Sequence, residues 1–225
     1  MNRITDTCVV VPAGEFDLAG LVGAIRGQRP DAGVGAVWAG DPQRRPTLPN
    51  GVRWLDLDVE EPTGVGWGRL LATLPPRAYE WARAARTVIR MLRSEERAGV
   101  LVVRAGSAAV TGPIAEWWPS TGLALIERTA RPLPVDGLAP SGSDLAGRGR
   151  WSDAVIGVAP DAADVLDDLA RLATDAAPTD DAHRLLELAV ARSTASVSTP
   201  AGGSAAGWGD ADRPIGVLDV DDLDA

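Results

Sequence analysis

The feature that most limits what this chain can become lies near its start, where Thr7–Val11 forms a short, β-branched apolar run with no polar alternation. A strand of that kind is buried on both faces, which is the habit of strands in parallel sheets. Pro12 and Gly14 close it. A helical pattern follows: Asp17 is placed to cap it, Phe16 to staple onto Leu21, and Leu18, Leu21, Val22 and Ile25 repeat at helical spacing until Gly27 and Pro30. Val34–Trp38 then reads as a second strand and Val52–Leu57 as a third. Strand, helix and strand in this order make a βαβ unit, so the chain is expected to build a mostly parallel, Rossmann-like α/β sheet with helices on its flanks. Sheets of that type bind ligands beyond the carboxyl ends of their strands, here near Pro12–Phe16 and Trp38–Asp41.

The rest of the pattern continues the alternation. Glu60–Leu74 reads as a Gly/Pro-rich loop. Pro75 and Pro76 open a long helix whose stripe runs through Ala78, Trp81, Ala82, Ala85, Val88, Ile89 and Leu92 until Gly99 ends it. Val100–Val103, Leu123–Ile126 and Ala154–Ala159 are expected strands, with a helical turn at Ile114–Trp118. Pro160–Ala173 and Asp180–Arg192 are expected helices. Beyond Ser193 the composition turns to Ser, Thr, Ala and Gly, which bury too little apolar area to offset ordering entropy, so Ser193–Gly209 is expected to be mobile. Ile215–Val220 is expected to add one strand.

Several function classes are excluded early. The net charge of −9 gives a field that repels a phosphate backbone, so nucleic acid is not an expected partner. All 22 basic residues are Arg, which removes Schiff-base chemistry and a lysine-bearing P-loop. No G-x-G-x-x-G follows the first strand, which disfavours a dehydrogenase. The one cysteine, Cys8, cannot form an internal disulfide, and the N-terminus has neither a signal-peptide pattern nor about 20 apolar residues for a membrane span, so a cytoplasmic location is expected.

The stretch richest in specific signal is Arg131-Pro-Leu-Pro-Val-Asp-Gly-Leu-Ala-Pro-Ser-Gly-Ser-Asp-Leu145, running into Trp151-Ser-Asp-Ala-Val-Ile-Gly-Val158. It resembles a segment of bacterial glycosyltransferases of the GT-A, nucleotide-diphospho-sugar type, in which a proline-rich phrase with Asp-Gly and Pro-Ser precedes a Tyr-Asn-Leu-Gly-Phe phrase. With the order of strands and helices upstream, the resemblance covers roughly Thr7 to Ala173. It implies a GT-A-like domain, expected over residues 1–192, and composition adds a flexible linker at 193–213 and an acidic segment at 214–225 that holds the expected extra strand.

The resemblance also implies a donor, a nucleoside-diphosphate sugar, and a divalent cation held by an Asp-x-Asp motif after the fourth strand to neutralise the leaving diphosphate. The residues at that place here are Arg104-Ala105-Gly106, so no metal cofactor is expected. In the second phrase Trp151 stands for Tyr, Ser152 for Asn and Ala154 for Gly. The implied nucleotide-sugar-binding positions are Arg104, Gly106, Asp136, Ser141, Asp144 and Ser152, with Arg104 as diphosphate partner, since a planar guanidinium suits phosphate oxygens. The function expected is nucleotide-sugar binding with weakened or lost transfer, which leaves open whether the chain is an enzyme. The alternative is a non-catalytic scaffold that partners an active glycosyltransferase.

Other chemistry-bearing residues have plainer readings. His183 is isolated on a polar helix side, and Cys8 inside a buried strand is a small hydrophobe. Asp56 with Asp58, Glu60 and Glu61, and Asp219 with Asp221 and Asp222, have Asp-x-Asp spacing, but in so acidic a chain they read as solvated charges. Trp117 and Trp118 read as packing, with a sugar-stacking platform as the rival. Arg77, Arg83, Arg86, Arg90, Arg93 and Arg97, interleaved with Glu80, Glu95 and Glu96, read as a solvated helix face.

Overall fold

The computed structural model describes residues 4–11, 16–55, 64, 66–94, 97–110, 114–127, 150–175, 182–200, 203–204 and 217–219. In chain order the elements are β1 (Ile4–Val11), α1 (Leu18–Gln28), β2 (Gly33–Trp38), β3 (Arg53–Trp54), α2 (Trp67–Thr73), α3 (Pro76–Ser94), β4 (Arg97–Arg104), β5 (Ala108–Val110), β6 (Leu123–Glu127) and β7 (Trp151–Val158). They are followed by α4 (Ala163–Thr174), α5 (Ala182–Arg192), β8 (Val197–Ser198), β9 (Gly203–Ser204) and β10 (Val217–Asp219).

A seven-stranded sheet in the order β3-β2-β1-β4-β7-β6-β8 forms the body of the molecule. β1 lies inside it, parallel to β2 on one side and to β4 on the other. This explains its unbroken apolar run: Cys8, Val9, Val10 and Val11 are all buried, and alternate side chains enter opposite cores. Cys8, Val10, Val100, Val102, Ile156 and Val158 meet a layer containing α3, α4 and α5. Val9, Val11, Leu101, Val103 and Val155 meet α1 and the turn that carries Trp117 and Trp118. β7 runs antiparallel to both β4 and β6, so the sheet is mixed but mostly parallel.

Most expected elements are present with shifted ends. Three differ. The expected loop at Glu60–Leu74 contains α2, because Trp67, Leu70, Leu71 and Leu74 supply a short apolar face that packs under α3 despite the surrounding glycines. The segment after Ser193 is not uniformly without structure: Val197–Ser198 joins the sheet as β8, parallel to β6. The strand expected at Ile215–Val220 exists as β10, which runs antiparallel to β5 and parallel to β9 in a second, three-stranded sheet. Among the described residues no helix is long and apolar enough to cross a membrane.

The arginine-rich helix α3 is also more embedded than its charge suggests. Arg90 and Arg93 are exposed, as a solvated face requires, but Arg86 pairs with Asp167 of α4 at 2.7 Å and Arg83 lies over the Trp67 ring at 4.8 Å. Arg97 belongs to β4 rather than to the helix. The side chain of Glu80 is buried. These arginines join α3 to its neighbours instead of facing water as a group.

Candidate functional site

The carboxyl ends of β1 and β4 define the mouth of the sheet. The chain leaving β4 turns sharply there: Ala105 N–H donates to Val10 O at 2.8 Å, and Ser107 N–H donates to Arg104 O at 3.3 Å. Gly106 sits at the apex with φ +84°, a left-handed conformation that costs a non-glycine residue strain. The Phe16 ring lies where a Cβ on Gly106 would be, so a side chain there would push that exposed ring aside.

Beside this turn opens a cleft of about 440 Å³ lined by Phe16, Asp17, Leu21 and Ala24 at the start of α1, by Ala105 and Gly106, and by Ala108 and Val110 of β5. Asp17 caps α1, its Oδ1 accepting from Gly20 N–H at 2.8 Å. Phe16 is 36% exposed, an unusual position for a large apolar ring in this molecule. Phe16 and Leu21, the two residues of the expected staple, both line the cleft.

Below the turn, on the α3 side of the sheet, lies a cluster of charges. Arg104 Nε donates to Glu80 Oε2 at 2.7 Å and its Nη1 donates to Ser107 Oγ. Next to it Arg77 makes a two-pronged pair with Asp153 of β7, Nε to Oδ2 at 2.8 Å and Nη2 to Oδ1, and Trp81 Nε1 donates to the same Oδ2 at 2.7 Å. Asp153 is only 1% exposed, so its charge depends on these donors. Burial pushes the Glu80 carboxyl above the ordinary carboxylate range; Arg104 opposes this, Asp153 adds to it and Arg77 relieves it.

Of the residues expected to hold a nucleotide sugar, the structure brings two to the mouth and sends them to different layers. Gly106 lines the cleft. Arg104, expected to face a diphosphate, is paired with Glu80 and Ser107, with its side chain 14% exposed. Ser152 is buried, and its Oγ accepts from Ala154 N–H at 3.1 Å; it is a local strand contact and does not line the cleft. Asp136, Ser141 and Asp144 lie outside the described residues, as do Asp56, Asp58, Glu60, Glu61, Asp221 and Asp222. The turn Arg104-Ala105-Gly106 offers no carboxylate oxygen, so a divalent cation does not fit the groups present there. Among the described residues no group of three or more His, Cys, Asp or Glu side chains gathers as a metal site.

Trp117 and Trp118 are buried, so they pack the second core and present no face to a sugar. Cys8 is buried, and burial pushes its thiol up to about 12. His183 lies in α5. Sequence reasoning put the ligand end of the sheet near Pro12–Phe16, which includes Phe16, but missed Asp17 as a cleft residue and Glu80, Ser107 and Asp153 as the cluster. A signal was present for two of these. Glu80 interrupts the helical row it shares with Ala84 and Val88, and Asp153 interrupts the apolar run of β7; in both places a carboxylate must find a cation.

Comparison with known proteins identifies the architecture. The fold is similar to that of the galactosyltransferase LgtC, determined in complex with donor and acceptor sugar analogues, with TM-score 0.54, 10% sequence identity, and coverage of 96% of this chain and 86% of that one. An active-site mutant of LgtC gives TM-score 0.51 at 11% identity over the same shares of each chain. The apo-form glycosyltransferase GlyE of Streptococcus pneumoniae TIGR4 matches with TM-score 0.48 and 9% identity, this chain covering 88% of its own length and 45% of GlyE. No protein-family model matches the sequence, and no curated protein matches it. The fold is glycosyltransferase-like; at such identities the likeness carries no residue-level chemistry.

Proposed function

We propose that the chain binds a nucleoside-diphosphate sugar in the cleft between α1, the Gly106 turn and β5, without a divalent cation, and that its capacity for sugar transfer is weakened or lost. The observation that carries this reading is the cleft itself. It lies beyond the carboxyl ends of parallel strands, where open α/β sheets take ligands, and its volume of about 440 Å³ suits a molecule of nucleoside size. Its lining is mostly apolar, with the Phe16 ring for stacking and the Asp17 carboxylate as an acceptor for hydroxyl or amino hydrogens. That chemistry suits the nucleoside half of the ligand.

Transfer also requires the charge on the departing diphosphate to be neutralised. The Arg104-Ala105-Gly106 turn has no ligand for Mg²⁺ or Mn²⁺, and Arg104, the cation at the mouth, is bound to Glu80. A turnover assay with UDP, GDP and TDP sugars, run with and without Mn²⁺, tests the proposal: little or no transfer and no response to Mn²⁺ are expected. Robust Mn²⁺-dependent turnover would overturn it.

A second reading is favoured by one observation, the engagement of Arg104 with Glu80 and Ser107, which leaves the described lining of the cleft without a cationic side chain. On that reading the fold is retained as a scaffold for an active glycosyltransferase. Failure of every nucleotide to bind would select it.

A further inference from the structure

Resting on that reading of the cleft, we infer that Glu80 is a positioning residue for it, holding the 104–107 turn so that Gly106 stays seated under the Phe16 ring. Glu80 never reaches the cleft. Its Oε2 accepts from Arg104 Nε at 2.7 Å, Arg104 reaches on through Nη1 to Ser107 Oγ, and Ser107 N–H returns to Arg104 O at 3.3 Å. One carboxylate thus governs both ends of a four-residue turn. Gly106, at its apex, takes the left-handed backbone region that only glycine enters without strain, and it is packed against Phe16.

The far end of the arrangement is rigid. Arg77 and Trp81, which flank Glu80 in the first turns of α3, hold Asp153 of β7, so the helix start is fixed to the sheet independently of Glu80. Ala105 N–H on Val10 O ties the turn to the end of β1. The side chain of Glu80 is 4% exposed, so water is a poor substitute partner for Arg104 if the carboxylate is removed. The consequence of losing it is a turn held by the Ala105 hydrogen bond alone, which opens more often as Ser107 comes loose, and a cleft wall no longer fixed.

The test compares Glu80→Ala, Glu80→Gln and Ser107→Ala by amide hydrogen exchange and by calorimetric titration with UDP, GDP and TDP. Glu80→Ala is expected to speed exchange at the Ala105 and Ser107 amides at least tenfold while the Val102 amide in β4 is unchanged. Nucleotide affinity is expected to fall about tenfold. Glu80→Gln, which keeps an oxygen for Arg104, is expected to recover most of both. Should Glu80→Ala fail to fold, Ser107→Ala, which removes only the hydroxyl at the end of the turn, is expected to speed exchange at Ser107 without touching Val102. Exchange that rises equally at Val102, or does not rise at Ala105 and Ser107, would overturn the inference. If the wild-type chain binds none of the nucleotides while the exchange pattern holds, the reading of the cleft fails and the positioning role of Glu80 stands.

Discussion

At the scale of single residues, backbone geometry governs the mouth of the sheet more than side-chain identity does. Arg104 and Gly106 are two apart, a spacing that puts side chains on one face only while the chain remains extended. The strand ends at Arg104 and the left-handed Gly106 turns the chain, so the two residues serve different layers. That turn is what the sequence did not disclose. Gly106→Ala is therefore expected to lower stability by about 1–2 kcal/mol from left-handed strain, with further loss from displacing Phe16; a thermal melt reads it, and an unchanged melting temperature would contradict the geometry. Glu80 makes a pH-dependent contribution of definite sign. Its native carboxyl is raised above the ordinary 4.5, so the folded state holds this proton more tightly than the unfolded chain does. The contribution is present below about pH 4.5 and is lost as pH rises through the higher native value. Denaturant titrations across this window should show Glu80→Gln flattening that part of the wild-type profile.

At the scale of elements, helix and strand identities were legible because their apolar periodicities are strong: β1, α1, β2, α3 and α4 stand where the patterns put them. Strand direction was not legible. The stretches Leu123–Ile126 of β6 and Ala154–Val158 of β7 carry no polar side chain on either face, and nothing in them distinguishes antiparallel pairing from a further parallel crossover. α2 was hidden because a seven-residue helix between glycines has little periodicity to display. The charge cluster was hidden for another reason: ion pairs between α3 and β7 join positions 76 residues apart. The pair does more than neutralise. Arg77→Ala would take from buried Asp153 its two-pronged cationic partner while the Trp81 indole N–H still donates, and breaking a buried pair from one side costs about 3–5 kcal/mol. Equilibrium unfolding should show a loss near the lower end, since Arg77 is itself partly exposed. A loss below about 1 kcal/mol would mean the pair does not anchor the helix.

At the scale of the whole molecule, the proline-rich phrase at 131–145 together with the order of the elements upstream suggested the glycosyltransferase-like architecture, and the solved structures agree on the fold. What order could not supply was the closure of the mouth by distant chain. β5 forms one wall of the cleft, and it is paired with β10, more than 100 residues further on, so part of the chain assigned to a tail belongs to the neighbourhood of the site. Three-residue strands in Gly-, Ala- and Asp-rich surroundings give almost no signal of such pairing. Occupancy of this cleft is tested most directly by a calorimetric titration of the wild-type chain and of Ala24→Trp with UDP, GDP and TDP sugars in the absence of divalent metal. Ala24 is on the surface-facing side of α1 and lines the cleft, so an indole there fills the space without entering the core. Saturable binding of at least one nucleotide sugar by the wild type, abolished in Ala24→Trp at an unchanged melting temperature, is the predicted result; no binding by the wild type, or binding undiminished by the indole, would contradict it.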